Sequence, residues 1–378
     1  MLRTAVCRTL PTATSHYAFA PAFAAASRRN FTYSAPSRNP ALESKPVDMK
    51  STMGVEGPHK KDMPPAGMAT QGASEVEEIK GDWVLFHPVY TPEELRAVEV
   101  MHREAKTMSD KLAVVFVRLL RWGFDVLSGY KHKTIPPGSN LSLEELRKQG
   151  YVMDEAGWMA RCLFLESVAG VPGMVGATLR HLRSLRIMRR DSGWIHTLLE
   201  EAENERMHLM TFMTIRQPGL LFRTLILGAQ GVFYNLFFFS YLISPQTCHR
   251  FVGHLEEEAV LTYTRCIEEI EAGRLPEWAD KPAPGIAKDY WRLKPDASLL
   301  DVIYAIRSDE TTHRFVNHSL ANLNHATDVN PFAFREPDMH VKGTKLEFER
   351  PEAEKYVQES HRMLEKVEKA ARKEAAQH

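Results

Sequence analysis

The sequence predicts an all-α protein whose centre is a four-helix bundle. Helix-start signals recur from about residue 92, and few segments show the period of two that marks a β-strand. In addition, two Glu-x-x-His motifs about a hundred residues apart lie in apolar helical surroundings. Because positions three apart share one helix face, such motifs favour a site built between helices.

The first part of the chain has the composition of a mitochondrial transit peptide. Residues 1–42 contain five arginines but no aspartate or glutamate, and they are rich in alanine, serine and threonine. A disordered basic tail is the alternative. Residues 43–80 are rich in proline, glycine, lysine and methionine, so we expect a flexible linker there. We expect a bundle domain over 81–335 and a charged extension over 336–378.

The composition disfavours two classes of protein. Beyond residue 42 acidic side chains outnumber basic ones, so nucleic acid is not an expected partner. The chain has four cysteines and no Cys-x-x-Cys motif, so neither a disulfide framework nor a zinc ribbon is expected.

Several helix ends can be placed from local signals. Thr91 and Ser142 each resemble a helix cap, and Glu94 stands three residues after the first of them. Residues 272–297 contain four prolines and break the helical pattern, so we expect a long connection there. From about Pro351 a Lys/Glu-rich segment predicts a solvated helix.

Two segments concern the membrane. In the predicted helix at 112–130, one face carries charged residues while aliphatic and aromatic ones cover most of the rest. The charged residues are Lys111, Arg118, Arg121 and Asp125. This pattern suits a helix lying in the membrane interface, and a helix packed in the protein core is the alternative. Residues 224–248 contain no charged side chain and are long enough to span a bilayer.

The Glu-x-x-His pattern occurs four times, so it is weak by itself. The motif at 56–59 contains glycine and proline and is not expected to be helical. The motif at 99–102 lies in a strongly polar stretch, for which we expect a solvated helix. The motifs at 205–208 and 310–313 have apolar flanks, and these two are the candidates for a metal site.

Two further glutamates in suitable contexts complete a ligand set. The six candidates are Glu166, Glu205, His208, Glu256, Glu310 and His313. One glutamate from each of two helices plus Glu-x-x-His from each of two others is the pattern of ferritin-like carboxylate di-iron proteins. We expect the glutamate and histidine of each motif to converge on one metal. Two ferrous ions balance four carboxylates, which could not all stay ionised in an apolar bundle without them.

Each candidate also has a simpler interpretation. Glu166 lies in an apolar run and could be a buried, paired acid. Glu256 adjoins Glu257 and Glu258, and acidic runs are usually solvated. The histidines could be core residues. The ordered set of six favours the metal site.

Four segments of the chain strongly resemble the signature blocks of the alternative oxidases, which are mitochondrial ubiquinol oxidases with a non-haem di-iron centre. The segments are "LESVAGVPGMVG", "LEEAENERMHLM", "HLEEEAVLTYT" and "RSDETTHRFVNH". The resemblance covers roughly residues 80 to 335. The last block departs slightly, at Ser308, Thr311 and Thr312, from the more usual Ala-Asp-Glu-Ala-x-His, but it keeps both ligand positions.

The resemblance implies roles for individual residues. The six candidates match the ligands of two iron ions bridged by oxide or hydroxide. Tyr263 matches a redox-active tyrosine, and Asn204 and Asp309 match residues that orient the ligands. The quinol pocket of the family is matched by Arg161, Leu165, Glu258 and Thr262. We note that Arg161 could instead hold Glu258 as an ion pair.

The order of the ligands argues against a membrane span at 224–248. Glu205 and His208 precede this segment and Glu256 follows it, so one crossing would divide the metal site across about 30 Å of hydrocarbon. We therefore predict a monotopic protein with the 112–130 helix and part of 224–248 in one leaflet. The resemblance implies a homodimer on the matrix side of the mitochondrial inner membrane.

The predicted function is a cyanide-insensitive terminal oxidase that oxidises ubiquinol and reduces dioxygen to water without proton pumping. Two enzymatic alternatives are a di-iron hydroxylase of quinone biosynthesis and a plastid-type quinol oxidase. A non-enzymatic alternative is a helical iron-binding membrane scaffold.

Overall fold

The computed structural model describes residues 87–128 and 133–375, and within these ranges the regular elements are helices. The one β-type pairing recorded there is an isolated bridge between Pro282 and Ser298. The prediction of an all-α protein is therefore confirmed. The expected transit peptide at 1–42 and linker at 43–80 lie outside the described residues.

The helices follow one another in a simple order. The first half of the described chain contains α1 (Pro92–Arg96), α2 (Met108–Ser128), α3 (Leu143–Lys148), α4 (Glu155–Ala169), α5 (Val171–Ile187), α6 (Trp194–Ile215) and α7 (Leu220–Ile243). The second half contains α8 (Pro245–Glu271), α9 (Pro276–Ala279), α10 (Gly285–Trp291), α11 (Leu299–Leu320), a 3₁₀ turn (Pro331–Ala333), α12 (Met339–Thr344) and α13 (Arg350–Ala375). Thr91 and Ser142 form the expected capping boxes.

The four-helix bundle consists of α4, α6, α8 and α11. Among all pairs of helices, α8 and α11 make the most extensive contact. Gly253 of α8 permits this approach, because a Cβ atom there would lie 2.5 Å from Nδ1 of His318 on α11. The largest apolar core joins residues of all four helices, including Leu163, Met207, Ile267 and Ile306.

Helices α2, α5 and α7 pack outside this bundle. α2 lies against α8, and α7 lies against α4, α5 and α8. α7 is attached along its length: Phe222 contacts Phe164, Gln230 donates to the carbonyl of Ser167 at 2.6 Å, and Tyr241 lies 3.1 Å from His249. Its position is therefore tied to the bundle at both ends.

The prediction of a solvated helix around residues 99–102 is wrong. α1 ends at Arg96, and residues 97–107 are not helical. Their backbone groups bond to other parts of the fold: Glu99 N–H donates to Gly343 at 3.0 Å, and Arg314 donates to the Glu99 carbonyl at 3.0 Å. Tertiary partners thus replace the intrahelical hydrogen bonds that the polar composition led us to expect.

The connection at 272–297 is confirmed as a break between the bundle helices α8 and α11, but it is not a surface loop. It contains the two short helices α9 and α10, and Trp278 and Trp291 are buried in the main core. Apolar packing of these aromatic residues fixes a proline-rich segment against the bundle.

The C-terminal segment begins inside the fold and ends outside it. Phe348 and Ala353 pack with Trp194 and Phe315 in a separate apolar cluster. The side chains described over 361–370 are exposed, in agreement with the predicted solvated helix. The bundle therefore receives packing contacts from residues beyond 335.

Candidate metal centre

Two overlapping groups of buried ligand atoms lie between the four bundle helices. One group contains Glu166, Glu205, His208 and Glu310, and the other contains Glu205, Glu256, Glu310 and His313. In each group the potential ligand atoms lie within 4.8 Å of one another. All six predicted residues therefore meet in one place, with Glu205 and Glu310 shared by the two groups.

The two residues of each motif lie in one ligand group, as the sequence led us to expect, and the glutamate of each motif belongs to the other group as well. Glu205 lies 3.4 Å from Nδ1 of His208 on its own helix and 2.7 Å from Nδ1 of His313 on α11. Glu310 likewise lies 3.4 Å from His208 and 3.8 Å from His313. The two motif glutamates are thus placed between the two histidines, where a carboxylate can bridge two ions.

Several buried ligand atoms of these residues lack a hydrogen-bond partner, as is expected of atoms that bind a metal. Nδ1 of both histidines, both carboxylate oxygens of Glu205 and one oxygen each of Glu166 and Glu310 are buried without a hydrogen-bond partner. Buried polar atoms are rarely left so, and here they face one another. Oxygen and imidazole ligands without a thiolate suit iron.

The raised pKa values of two of the four glutamates also favour a cation at this site. Burial and the nearby carboxylates of Glu310 and Glu205 raise the pKa of Glu256 well above its usual range. Burial raises the pKa of Glu166 to about 8, although His208 opposes this. Four carboxylates in one apolar core repel one another, and cations between them would let all four ionise.

Asp309 holds His208 in place. Its Oδ2 atom lies 3.0 Å from Nε2 of His208 and accepts hydrogen bonds of 2.9 Å from Asn204 and from Trp291. An ionised carboxylate can only accept, so Nε2 of His208 carries a proton and Nδ1 points toward the glutamates. Burial alone would raise the pKa of Asp309, but contacts with His87 and His208 lower it well below its usual range.

Four residues around Asp309 were not found from the sequence. Tyr90 donates to Oδ1 of Asp309 at 2.6 Å, and His87 lies 3.0 Å from the same atom. Trp291 stacks on His208, and the hydroxyl of Tyr290 accepts from Asn204. In the sequence these four residues stand out only as aromatic residues in segments without helical periodicity. That feature does not indicate where they lie in the fold.

Tyr263 is buried and donates a hydrogen bond to Oε1 of Glu166. Burial and the carboxylate of Glu166 raise its pKa well above the usual range, so the phenol stays protonated. The tyrosine is thus one hydrogen bond away from a predicted metal ligand.

The predicted quinol-pocket residues line the contact between α2 and the bundle. Arg161 donates to Asp125 of α2 at 3.2 Å, and Arg121 of α2 pairs with Glu258. The partner of Glu258 is therefore Arg121, whereas the sequence suggested Arg161. Thr262 is buried and donates to the backbone carbonyl of Glu258 at 2.7 Å, and Leu165 is half-buried.

A four-helix bundle with four core glutamates and two core histidines defines a ferritin-like carboxylate protein of the two-metal class. A sequence model of the alternative oxidases matches residues 90–322, which is more than half of the chain. The chain belongs to the alternative oxidase family.

Related proteins agree with this assignment. The mitochondrial alternative oxidase of Cryptococcus neoformans var. grubii is 53% identical over 323 residues, covering 84% of this chain and 79% of that protein. The corresponding protein of Emericella nidulans is 58% identical over 262 residues, with coverage of 69% and 71%. That of Aspergillus niger is 55% identical over 267 residues, with coverage of 70% and 73%. The chain is accordingly an oxidoreductase, a cyanide-insensitive terminal oxidase of ubiquinol.

Proposed function

We propose that this oxidase works at two iron ions held by Glu166, Glu205, His208, Glu256, Glu310 and His313. The observation that supports the proposal is the pair of overlapping ligand groups with unpartnered atoms turned toward each other. Two ferrous ions would neutralise four carboxylates. Bound iron would supply the electron-transfer and dioxygen chemistry that no side chain of this core provides.

The protein's own side chains would position this centre and move protons near it. Asp309 keeps the Nε2 proton on His208, so that Nδ1 remains available as a ligand. Tyr263 is placed to give an electron and its phenolic proton together, because its hydroxyl already donates to Glu166. The surrounding apolar core excludes water from both groups.

The quinol head group would bind where α2 meets α4 and α8. Leu165 directly precedes the ligand Glu166 on α4, and Thr262 directly precedes Tyr263 on α8, so this region adjoins a metal ligand and the tyrosine that donates to it. Arg161 and Glu258 supply charged groups for the quinol hydroxyls. Asp125 and Arg121, which pair with them, belong to α2, so movement of α2 would break these two ion pairs.

We propose that the apolar outer faces of α2 and α7 lie in one leaflet of the membrane. The exposed residues of α2 include Leu119, Leu120, Trp122 and Val126, and those of α7 include Leu225, Leu227, Leu236 and Phe239. Arg121 and Asp125 instead face the protein, through Glu258 and Arg161. Lys111 and Arg118 remain exposed, so α2 combines a narrow charged stripe with a broad apolar outer face, which suits a helix lying in the membrane interface.

Two segments, 155–187 and 220–243, are long and apolar enough to cross a membrane. The first is half buried within the protein and the second only 11% buried. A crossing by α7 would carry α4 and α5 with it, because α7 contacts them near both of its ends. Since α5 bears the exposed residues Arg183 and Arg186, a lipid-bound position along one leaflet fits better.

Two observations bear on the cellular compartment, namely the names of the related proteins and the composition of residues 1–42. The related fungal proteins are named mitochondrial, and we propose the same compartment for this chain. We further propose cleavage of a transit peptide within residues 1–42, attachment to the matrix face of the inner membrane, a homodimeric state, and no proton pumping.

Oxygen uptake tests the function directly. Iron-loaded protein given a short-chain ubiquinol should consume dioxygen at a rate unaffected by excess cyanide, and water and quinone should be the products. Removal of iron by a chelator should abolish uptake, and ferrous iron should restore it. A hydroxylated quinone would support the hydroxylase alternative instead. An iron-loaded protein without any uptake would support the scaffold.

Binding to phosphatidylcholine vesicles tests the proposed membrane face. Trp122→Glu in α2 and Leu236→Glu in α7 replace side chains that are 66% and 64% exposed. Each should weaken vesicle binding about 10- to 100-fold, because an inserted large apolar side chain contributes about 1.5–3 kcal/mol. The matched control is Val367→Glu in α13, where the side chain is 66% exposed. Equal binding by all three variants would contradict the proposed face.

A further inference from the structure

A second group of metal-binding side chains lies on the other side of α8. We call it the Glu257 cluster, and it consists of His102, His254, Glu257 and His318. Oε1 of Glu257 lies 2.8 Å from Nε2 of His318 and 3.1 Å from Nδ1 of His254. Oε2 lies 3.1 Å from Nδ1 of His102. Three imidazoles therefore converge on one carboxylate.

The cluster is separate from the candidate metal centre. Glu257 follows Glu256 on α8, but consecutive helical residues point about 100° apart. Glu257 therefore faces the non-helical segment 97–107, whose Arg103 N–H donates to it at 2.9 Å. His102 belongs to one of the two Glu-x-x-His motifs that the oxidase function leaves unexplained.

His318, which is itself fixed by a hydrogen bond from Arg250, holds the carboxylate of Glu257 in position. Nη1 of Arg250 lies 3.0 Å from Nδ1 of His318, and a guanidinium can only donate. Nδ1 of His318 therefore accepts, and its Nε2–H donates to Glu257. His318 thus orients Glu257 in the way that outer partners orient metal ligands. His102 and His254 keep ring nitrogens directed at the same carboxylate.

A cavity gives access to the cluster. It has a volume of about 220 Å³, and His102, Arg103, His254 and Glu257 are among its lining residues. The side chain of His102 is 52% exposed, so the site opens to solvent. Nε2 of His254 is buried and has no hydrogen-bond partner among the described residues, so this ring is only half satisfied.

The charge around the cluster suits a cation. Arg103 and Arg250 lie nearby, but both pair with Asp110 and Glu347. These four residues cancel one another, and the cavity lining adds Arg118 and Glu258, which are opposite in charge, so among the described residues here Glu257 is the carboxylate without a compensating cationic side chain. A divalent ion would neutralise it.

We propose that His102, His254 and Glu257 form a binding site for a divalent transition-metal ion of the Zn²⁺ type, distinct from the two-metal centre. Imidazole and carboxylate are common zinc ligands, with metal–ligand distances of about 2.0–2.2 Å. Tetrahedral geometry then separates ligand atoms by about 3.3–3.5 Å. Nδ1 of His102 lies 3.1 Å from Oε2 of Glu257 and Nδ1 of His254 lies 3.1 Å from Oε1, so the ion would lie between the two carboxylate oxygens and the half-exposed ring of His102 would turn toward it. The bound ion ties segment 97–107 to α8.

Metal counting tests the proposal on the iron-loaded protein. After incubation with Zn²⁺ and gel filtration, the protein should hold one zinc per chain with its iron content unchanged. His254→Ala and His102→Ala should each weaken zinc binding at least about 10- to 100-fold, since loss of a ligand costs no less than loss of an outer partner. His102 is half exposed and lies outside the helices, so its variant should fold normally.

The matched control is His340→Ala, which removes an exposed histidine on α12 far from the cluster in sequence. This variant should bind zinc as the unaltered chain does. Absence of extra zinc, zinc uptake that displaces iron, or unchanged binding by His102→Ala would each overturn the proposal.

Discussion

Glu205→Ala is expected to remove both metal ions and all quinol-driven oxygen uptake. Glu205 belongs to both ligand groups, so its loss weakens both sites at once. Loss of an outer partner alone costs about 10- to 100-fold in metal affinity, and a shared ligand should cost at least about 100-fold at each site. Iron per chain after a chelator challenge, measured with oxygen uptake, checks this expectation.

Three further variants make this experiment specific. Glu166→Ala removes a residue of only one group, so part of the iron should remain. Glu203→Ala removes an exposed glutamate on the same helix and should leave iron content and uptake unchanged. Glu205→Gln guards against loss of folding, because it keeps the size of the side chain. Full iron occupancy in Glu205→Gln would contradict the shared-ligand geometry.

The helical part of the fold was predictable because its signals are local. Capping at Thr91 and Ser142 depends on residues three positions away, and the structure shows both capping boxes. Four of the six ligand candidates could be found for the same reason, since Glu-x-x-His follows from helical periodicity, whereas Glu166 and Glu256 were added to complete the ligand set. The helix expected around His102 does not form because long-range hydrogen bonds fix segment 97–107 in a non-helical conformation.

The details of the metal centre depended on contacts that periodicity does not encode. Tyr90 and Asp309 are bonded although 219 residues separate them, and Trp291 reaches Asp309 from a proline-rich connection. Glu205 and Glu310 are shared because each lies close to the histidine of the other helix as well as to that of its own. The sequence could assign ligand types, but it could not assign each ligand to one ion.

Asp309→Asn is expected to weaken iron binding about 10- to 100-fold and to reduce oxygen uptake in parallel. The amide oxygen can still accept from Asn204 and Trp291, but it carries no charge to hold the Nε2 proton of His208. The ring then orients less firmly, so its Nδ1 becomes a poorer ligand. Iron release to a chelator, followed over time, measures the change.

Asp309→Ala should have the larger structural effect of the two substitutions. It leaves buried donors of Asn204 and Trp291 without an acceptor, and breaking a buried charged network in this way costs about 3–5 kcal/mol in the free energy of unfolding. Asp289→Asn, an exposed change in the same connection as Trp291, is the control and should alter neither stability nor iron release. If Asp309→Asn released iron as slowly as that control, Asp309 would be an ordinary buried acid, and the orientation of His208 would depend on its packing against Trp291 alone.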